Sequence, residues 1–556
     1  MPVRFDRYSL ETLHPSPPTR YNPQSLIAMN RSVPESPATA RKVIIAACFG
    51  TFLEWYDFLT FASLATYFGA LFFPPDDPVA ALLASLATFG VGMVVRPLGS
   101  ALFGSLADKY GRRPIFITTI VLMGVATFAV GLLPTYAQAG LWAPALLLLL
   151  RLLQGFAVGG EIGGVAVYVT EHAPADKRGA YTSALQLMGP LGILVSTLQV
   201  ALLQTLLDDG AFHAWGWRVP FLFSAVLLLI SLKSRMSLHE SPVFLRMQQL
   251  GVVAKAPLRE CLSDRHTFGR MALLFFCISS GGSLLFFSSQ VFAGVFLKSV
   301  VRLDAQLSSL LVIISTLLLF PLTLFCGRLS DRIGRRPVVL SGLLLGCIAI
   351  MPVFLGLQHF GNPALAQFNR TVPVVLFGAS CAYSPFAKAA NDCERNQEFL
   401  TTRGVAYSTQ TPSGDQSAVN VSIAGTHALE GFRPQELAAA LHARGWVERA
   451  DAGQVNFPML FLLLSVPVVA VALVTGPQTA LLAELFPART RYTAAALPHN
   501  LSAGWIGGLS PFMITLIGVR SGDTLSGLWY PVGLLIVACV AGALFLPETR
   551  QVKLDE

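Results

Sequence analysis

Glu54 and Asp57 stand three residues apart inside an apolar run that begins at Val43, and Arg96, Arg151 and Glu161 stand inside later apolar runs. Residues at i and i+3 share one helix face, so the two carboxylates point the same way. An ionised group at the centre of a bilayer costs about 2.5–3.5 kcal/mol on insertion scales, and such groups therefore face a protein interior or a wet cleft. The chemistry on offer is proton binding and release by Asp57 or Glu54, with Arg96 or Arg151 attracting a carboxylate or exchanging partners when the acid beside it is protonated. The alternative is a set of permanent ion pairs that fix helix register. Glu54 and Arg96 each lie about eleven residues from the cytoplasmic end of their runs, which puts them at equal depth.

The elements that carry these residues are dictated by composition. Of 556 residues, 53% are hydrophobic and only 13% charged, far from the roughly one-quarter charged residues of a soluble chain. A water-soluble enzyme is excluded on that ground. The net charge of +8 is spread in short clusters between apolar runs, with no basic stripe for nucleic acid. No CxxC pair, Cys/His ligand spacing or nucleophile-base pair is present, so neither a metal nor a cofactor is expected.

Residues 1–42 are rich in Pro, Ser and Arg and read as a disordered tail, with Met29 an alternative start. Twelve stretches long enough to cross about 30 Å of hydrocarbon follow. Six make a first half, 43–232: 43–70, 79–106, 115–133, 141–168, 181–206 and 219–232. A polar loop spans 233–270, and six more make a second half, 271–546: 271–297, 305–327, 338–358, 457–484, 493–518 and 528–546, before a tail at 547–556. Lipid offers backbone groups no partners, so these runs are helices, and the fold class is all-α transmembrane. With both ends cytoplasmic, 26 Lys and Arg lie on the inner segments and 4 on the short outer loops (Arg218, Lys298, Arg302, Arg520). That asymmetry sets the orientation.

The loop after the second run reads Gly104-Ser-Leu-Ala-Asp108-Lys-Tyr-Gly111-Arg112-Arg113-Pro114, and the loop after the eighth reads Gly327-Arg-Leu-Ser-Asp331-Arg332-Ile-Gly334-Arg335-Arg336-Pro337. Seven of the eleven positions are identical, which implies two structurally equivalent halves. The motif resembles the signature loop of the major facilitator superfamily, and the resemblance covers the chain except for its N-terminal tail and 359–456. It implies a twelve-helix fold of two pseudo-symmetric six-helix bundles. It further implies cytoplasmic gating contacts from Gly104, Asp108, Gly111, Arg112 and Arg113, with Asp331, Gly334, Arg335 and Arg336 as their counterparts.

Four further motifs resemble the metabolite:proton symporter branch of that superfamily. They are Gly50-Thr-Phe-Leu-Glu54-Trp55-Tyr56-Asp57-Phe58, Arg96-Pro97-Leu98-Gly99, Arg151-Leu-Leu-Gln154-Gly155 through Glu161, and Trp217-Arg218-Val-Pro220. The resemblance implies a proton-coupled importer of a small organic acid or zwitterion, such as 2-oxoglutarate, citrate, shikimate, proline or betaine, monomeric in a bacterial inner membrane. The proton is the coupling ion. Arg96, Arg151, Gln154 and Tyr56 are the candidate substrate ligands of the first half; Gln290, Gln478 and Asn500 are those of the second, where Gln478 aligns with Glu161. An intramembrane amide can equally bond a neighbouring helix. The runners-up are a proton-driven exporter and a membrane sensor.

The second half carries about 93 extra residues at 359–456. Alternation at Val419–Ile423 and a helical pattern at Pro434–Arg444 read as a small α+β domain on the outer, periplasmic side, with Cys381 and Cys393 either a disulfide or two free thiols.

Overall fold

The computed structural model describes residues 37–73, 88, 90–236, 239–378, 391–410, 419–425 and 427–554. Met29, most of the N-terminal tail and Cys381 lie outside them. Eleven helices among the described residues are long and apolar enough to cross a membrane: Gly90–Tyr110 (span two), Arg112–Gly131 (three), Trp142–His172 (four), Arg178–Leu206 (five), Gly216–Met236 (six), Arg265–Ser299 (seven), Gln306–Ile333 (eight), Arg335–Gly361 (nine), Phe457–Glu484 (ten), Arg491–Ser521 (eleven) and Thr524–Phe545 (twelve). Span one is the pair Pro37–Ser63 and Ala65–Phe72, joined through Leu64. It carries Glu54, Trp55, Tyr56 and Asp57 near its centre. It also starts at Pro37, six residues ahead of the expected Val43, so the last residues of the expected tail are helical.

Most rods run a turn past their expected ends because polar residues there are still helical. Span six is the consequential case. Expected to stop at 232, it continues through Lys233 and Arg235 to Met236, and Arg235 is buried rather than part of the polar loop. Helix ends are set locally: the Asp304 carboxylate accepts from Gln306 and Leu307 N–H before span eight, and the Asn456 side chain accepts from Met459 N–H before span ten.

Spans two and four cross with almost no side chain between them. A Cβ on Gly155 would overlap the Gly92 backbone, and one on Gly159 would overlap the backbone of Arg96. This contact fixes the register of the two rods, with Arg96 level with Gly159 and Arg151 beside Gly92. Spans seven and eleven are interrupted by π-helical turns at Leu274–Ser279, Phe287–Phe292 and Ser502–Gly507. Such turns mark functional sites more often than plain helix.

The inserted segment is α+β. Strands β1 (Val374–Phe377), β2 (Ser408–Gln410), β3 (Asn420–Ile423) and β4 (His427–Glu430) form a sheet in the order β2-β1-β3-β4, parallel only between β1 and β2. Helices Pro363–Thr371, Asp392–Thr402 and Pro434–Ala443 pack around it. The unit rests on the end of the second half opposite the repeated loops. There Tyr407 N–H donates to Gly522 O at 2.8 Å, and the Arg302 guanidinium donates to Glu448 O and Thr402 O at 3.0 and 3.1 Å. Cys393 is disulfide-bonded, and the other six cysteines of the described residues are free thiols.

Gly155→Ala is expected to lower the melting temperature of the purified protein, since overpacking a tight crossing costs about 1–3 kcal/mol. Gly533→Ala, where an added Cβ meets nothing within 4 Å, is expected to leave it unchanged.

Candidate functional site

A cavity enclosing about 940 Å³ of non-atom space, part of it open to solvent, lies between the two halves. Spans one, two, four and five supply one wall and spans seven, eight, ten and eleven the other. Its aromatic lining is Trp55, Phe286 and Phe287; its amides are Gln186 and Gln478. Its only ionisable lining groups among the described residues are Arg96 and His499, with no carboxylate.

Arg96 is held by faces of rings, its guanidinium 4.7 Å from the Phe58 centroid and 5.9 Å from that of Trp55. Glu54 lies behind it, in electrostatic contact with Arg96, Arg235, Glu161 and Asp57. Neither Glu54 oxygen accepts a hydrogen bond among the described residues. Glu161 is by contrast fully engaged. It pairs with Arg235 of span six and accepts from the Thr119 hydroxyl at 3.3 Å, while Arg235 also donates to Phe116 O at 3.1 Å. Gly50 leaves the room that the Arg235 guanidinium occupies.

Asp57 and Arg151 form a second buried group, outside the cavity lining. The Arg151 guanidinium sits 3.4 Å from the Phe61 centroid and donates to Gln154 Oε1 at 2.9 Å, and Gln154 Nε2 donates to Thr127 Oγ1 at 2.6 Å. Asp57 lies beside Thr127 and Arg151, yet its carboxylate oxygens accept no hydrogen bond among the described residues. Of the other expected ligands, only Gln478 reaches the cavity. The Tyr56 hydroxyl is bonded to Gln199 and Pro220 O, Gln290 bonds Thr316 and Ser289, and Asn500 Nδ2 donates to Gly159 O at 3.0 Å.

At the end that carries the repeated loops, the halves are clasped twice by the same device. Asp108 accepts from Tyr492 N–H, Thr493 N–H and the Thr493 hydroxyl at 2.8–3.2 Å, so it caps span eleven of the opposite half. Asp331 accepts from Gly179 and Ala180 N–H at 2.9 and 2.8 Å and caps span five. A carboxylate at a helix N-terminus satisfies free donors and meets the positive end of the dipole. Arg112 lies 3.7 Å from Asp108 and 3.4 Å from Glu171, which pairs with Arg491 at 3.0 Å. Arg335 lies 2.7 Å from Asp331 and 3.2 Å from Glu484, which faces Arg178 at 3.8 Å. Gly104 keeps spans two and eleven close, a Cβ there falling 3.1 Å from Thr493 Cα.

Gly111 and Gly334 take φ of +115° and +107°, the left-handed turn that begins spans three and nine. Glu240 and Glu548 accept from the backbone N–H groups that follow each turn, at 2.9–3.1 Å. Arg113 and Arg336 donate to the closing carbonyls of spans six and twelve, Met236 O at 2.8 Å and Ala543 O at 2.7 Å. The expected C-terminal tail joins the clasp: Val552 O accepts from Arg178 and Leu554 O from Arg491, at 2.7 and 2.9 Å, and the Thr549 hydroxyl donates to Glu484 at 2.6 Å.

His499, Glu171, Arg178, Glu484, Arg491, Glu240 and Glu548 join these sites without belonging to any motif quoted above. A signal for four of them was present. Glu171-His-Ala-Pro174-Ala-Asp-Lys-Arg178 and Glu484-Leu-Phe-Pro487-Ala-Arg-Thr-Arg491 are a second repeat, Glu-x-x-Pro-Ala-x-x-Arg, with its copies 313 residues apart. In that register Gln478 pairs with Val165, which faces the same cavity, and not with Glu161 as expected.

Two bundles clasped at one end around a shared cavity define a membrane transporter of the major facilitator fold. The comparisons agree. The family described as "Sugar (and other) transporter" matches residues 43–266. The chain is 39% identical over 332 residues to the inner membrane metabolite transport protein YhjE of Escherichia coli (58% of this chain, 74% of that one), and 37% identical over 366 residues to the shikimate transporter of the same organism (62% and 82%). The proton:xylose symporter XylE superposes with a TM-score of 0.62 at 16% identity, over 93% of this chain and 98% of that one. The chain belongs to the major facilitator superfamily of transporters and is not an enzyme.

Glu171→Gln removes the carboxylate that Arg112 and Arg491 share and leaves Asp108 as their nearest buried counter-charge, a loss of about 3–5 kcal/mol for a broken buried pair. Cys261 reports the consequence: its thiol is buried against Thr490 O, and burial pushes its pKa up to about 12, so little thiolate forms at neutral pH. Maleimide labelling of Cys261, located by peptide mass spectrometry, is expected to be slow in the native protein and several-fold faster in Glu171→Gln.

Proposed function

We propose that this transporter imports a small organic acid or zwitterion together with a proton, and that the cargo's carboxylate binds Arg96. The observation that carries the reading is the charge of the cavity: a guanidinium and an imidazole line it and no carboxylate does among the described residues, while Glu54 lies behind Arg96. An ionised Glu54 competes with a cargo anion for Arg96; a protonated one does not. Proton and cargo are thereby linked through one arginine, and Asp57 beside Arg151 offers a second carboxylate for the same use. The names of the relatives, metabolite, shikimate and proline/betaine transporters, fit an acid or zwitterion better than a neutral polyol.

The clasp of Asp108, Asp331 and their arginines serves in this reading as the cytoplasmic gate, closed here. The excess of Lys and Arg in the segments on that side supports a cytoplasmic location for it and for both termini, in a bacterial inner membrane. The inserted α+β unit then lies outside, in a compartment where the disulfide of Cys393 is stable. The protein works as a monomer, because each monomer holds a complete cavity and both clasps. No cofactor or metal takes part.

Reconstituted protein is expected to accumulate labelled shikimate, proline or glycine betaine when the outside is made acidic, and to lose that accumulation with a protonophore. Efflux under the same gradient would instead indicate an exporter. Arg96→Gln is expected to weaken binding about ten- to a hundredfold, the loss of a charge-assisted bond. Glu54→Gln or Asp57→Asn is expected to abolish accumulation and spare exchange across vesicles with no gradient. Full gradient-driven accumulation in both carboxylate variants would remove the proton assignment.

A further inference from the structure

His499 sits on span eleven in the cavity wall contributed by the second half, while Arg96 stands in the wall contributed by the first. Its ring is nearly buried, and Nδ1 lies 3.0 Å from the Ser279 hydroxyl of span seven. No other hydrogen bond engages the ring among the described residues, so Nε2 is uncommitted. With the Ser279 hydroxyl donating to Nδ1, the neutral ring carries its proton on Nε2, and the imidazolium also presents an N–H there. The charged group that acts on the ring is Arg96.

The backbone around His499 is built to hold it at that point. Asn500 ties the same turn to span four through Gly159 O and to its own helix through Ala496 O, at 3.0 and 2.9 Å. Ser279 closes the first π-helical turn of span seven, and the next residue, Ser280, meets Ser502 at 2.9 Å where the π-helical turn of span eleven begins. Two irregular turns, one on each helix, thus meet at a polar seam beside this imidazole.

We propose that His499 Nε2 is the second ligand of the cargo's carboxylate, so that one anion is held between Arg96 of the first half and His499 of the second. The proposal rests on the anionic-cargo reading above and adds to it how the second half senses that the site is full. A carboxylate has two oxygens and about four lone-pair sites, enough for a guanidinium on one side and an imidazole on the other. A cargo bound by both halves favours the state in which they are drawn together. A neutral cargo of the same size makes no charge-assisted bond to either ligand.

The test is titration of the purified full chain with shikimate, glycine betaine, proline, 2-oxoglutarate and citrate, and with the methyl ester of whichever acid binds. His499→Ala is expected to weaken the acid about ten- to a hundredfold and leave the ester within about twofold. His499→Gln, whose Nε2 carries an N–H near the same place, is expected to recover most of the loss. Should His499→Ala not fold, the imidazole resonance of the native protein that disappears in His499→Gln must move when the acid is added. An acid affinity lost in Arg96→Gln but unchanged in His499→Ala, or a resonance that stays still, overturns this inference and leaves the anionic-cargo reading standing. Failure of every acid to bind the native protein overturns both.

Discussion

In each half, a carboxylate at the end of one helix accepts the free N–H groups at the start of a helix from the other half, and an arginine one turn on holds that carboxylate in place. Asp108 does this for span eleven and Asp331 for span five. The arrangement answers two demands at once. A helix that starts inside protein has donors with no partners, and a buried carboxylate has charge with no solvent. Because donors and acceptor belong to different halves, satisfying them fixes how the bundles meet. Glu171 and Glu484 repeat the logic between arginines.

The two halves share this frame and differ in their interiors. The first half carries Glu54, Asp57, Arg96, Arg151 and the Glu161–Arg235 pair among its helices. At the position of Glu161 the second half has Val474, in the register of the Glu-x-x-Pro-Ala-x-x-Arg repeat. The second half offers instead hydroxyls, an imidazole and π-helical turns on spans seven and eleven. Apart from the clasp, the buried carboxylates of the described spans belong to one bundle, while backbone irregularity belongs mainly to the other.

Much of this frame is legible in the sequence because lipid is an unforgiving solvent. A run of about 20 apolar residues has one structural outcome, so the span positions follow from composition, and the repeated Gly-x-Leu-x-Asp loops follow from simple alignment. The limits are equally physical. The true end of span six is hidden because Lys233 and Arg235 look like loop residues, and nothing local says that Arg235 turns inward to meet an acid 74 residues earlier. Rotation about a helix axis decides whether Asp57 or Glu54 backs the cavity, and an apolar run with weak periodicity does not encode that rotation. Asp57, Arg151 and Gln154 face a packed interior while Arg96 faces the cleft. Glu171 and Arg491 are 320 residues apart, and only the three-dimensional meeting of the halves makes them neighbours.

The segment around Thr549 and Val552 has a bearing on biosynthesis. Arg178 is translated early, yet the carbonyl that caps its guanidinium belongs to residue 552, beyond all twelve rods. That tie can therefore form only after the last rod has been synthesised, later than the bonds from Asp331 that hold the start of the same helix.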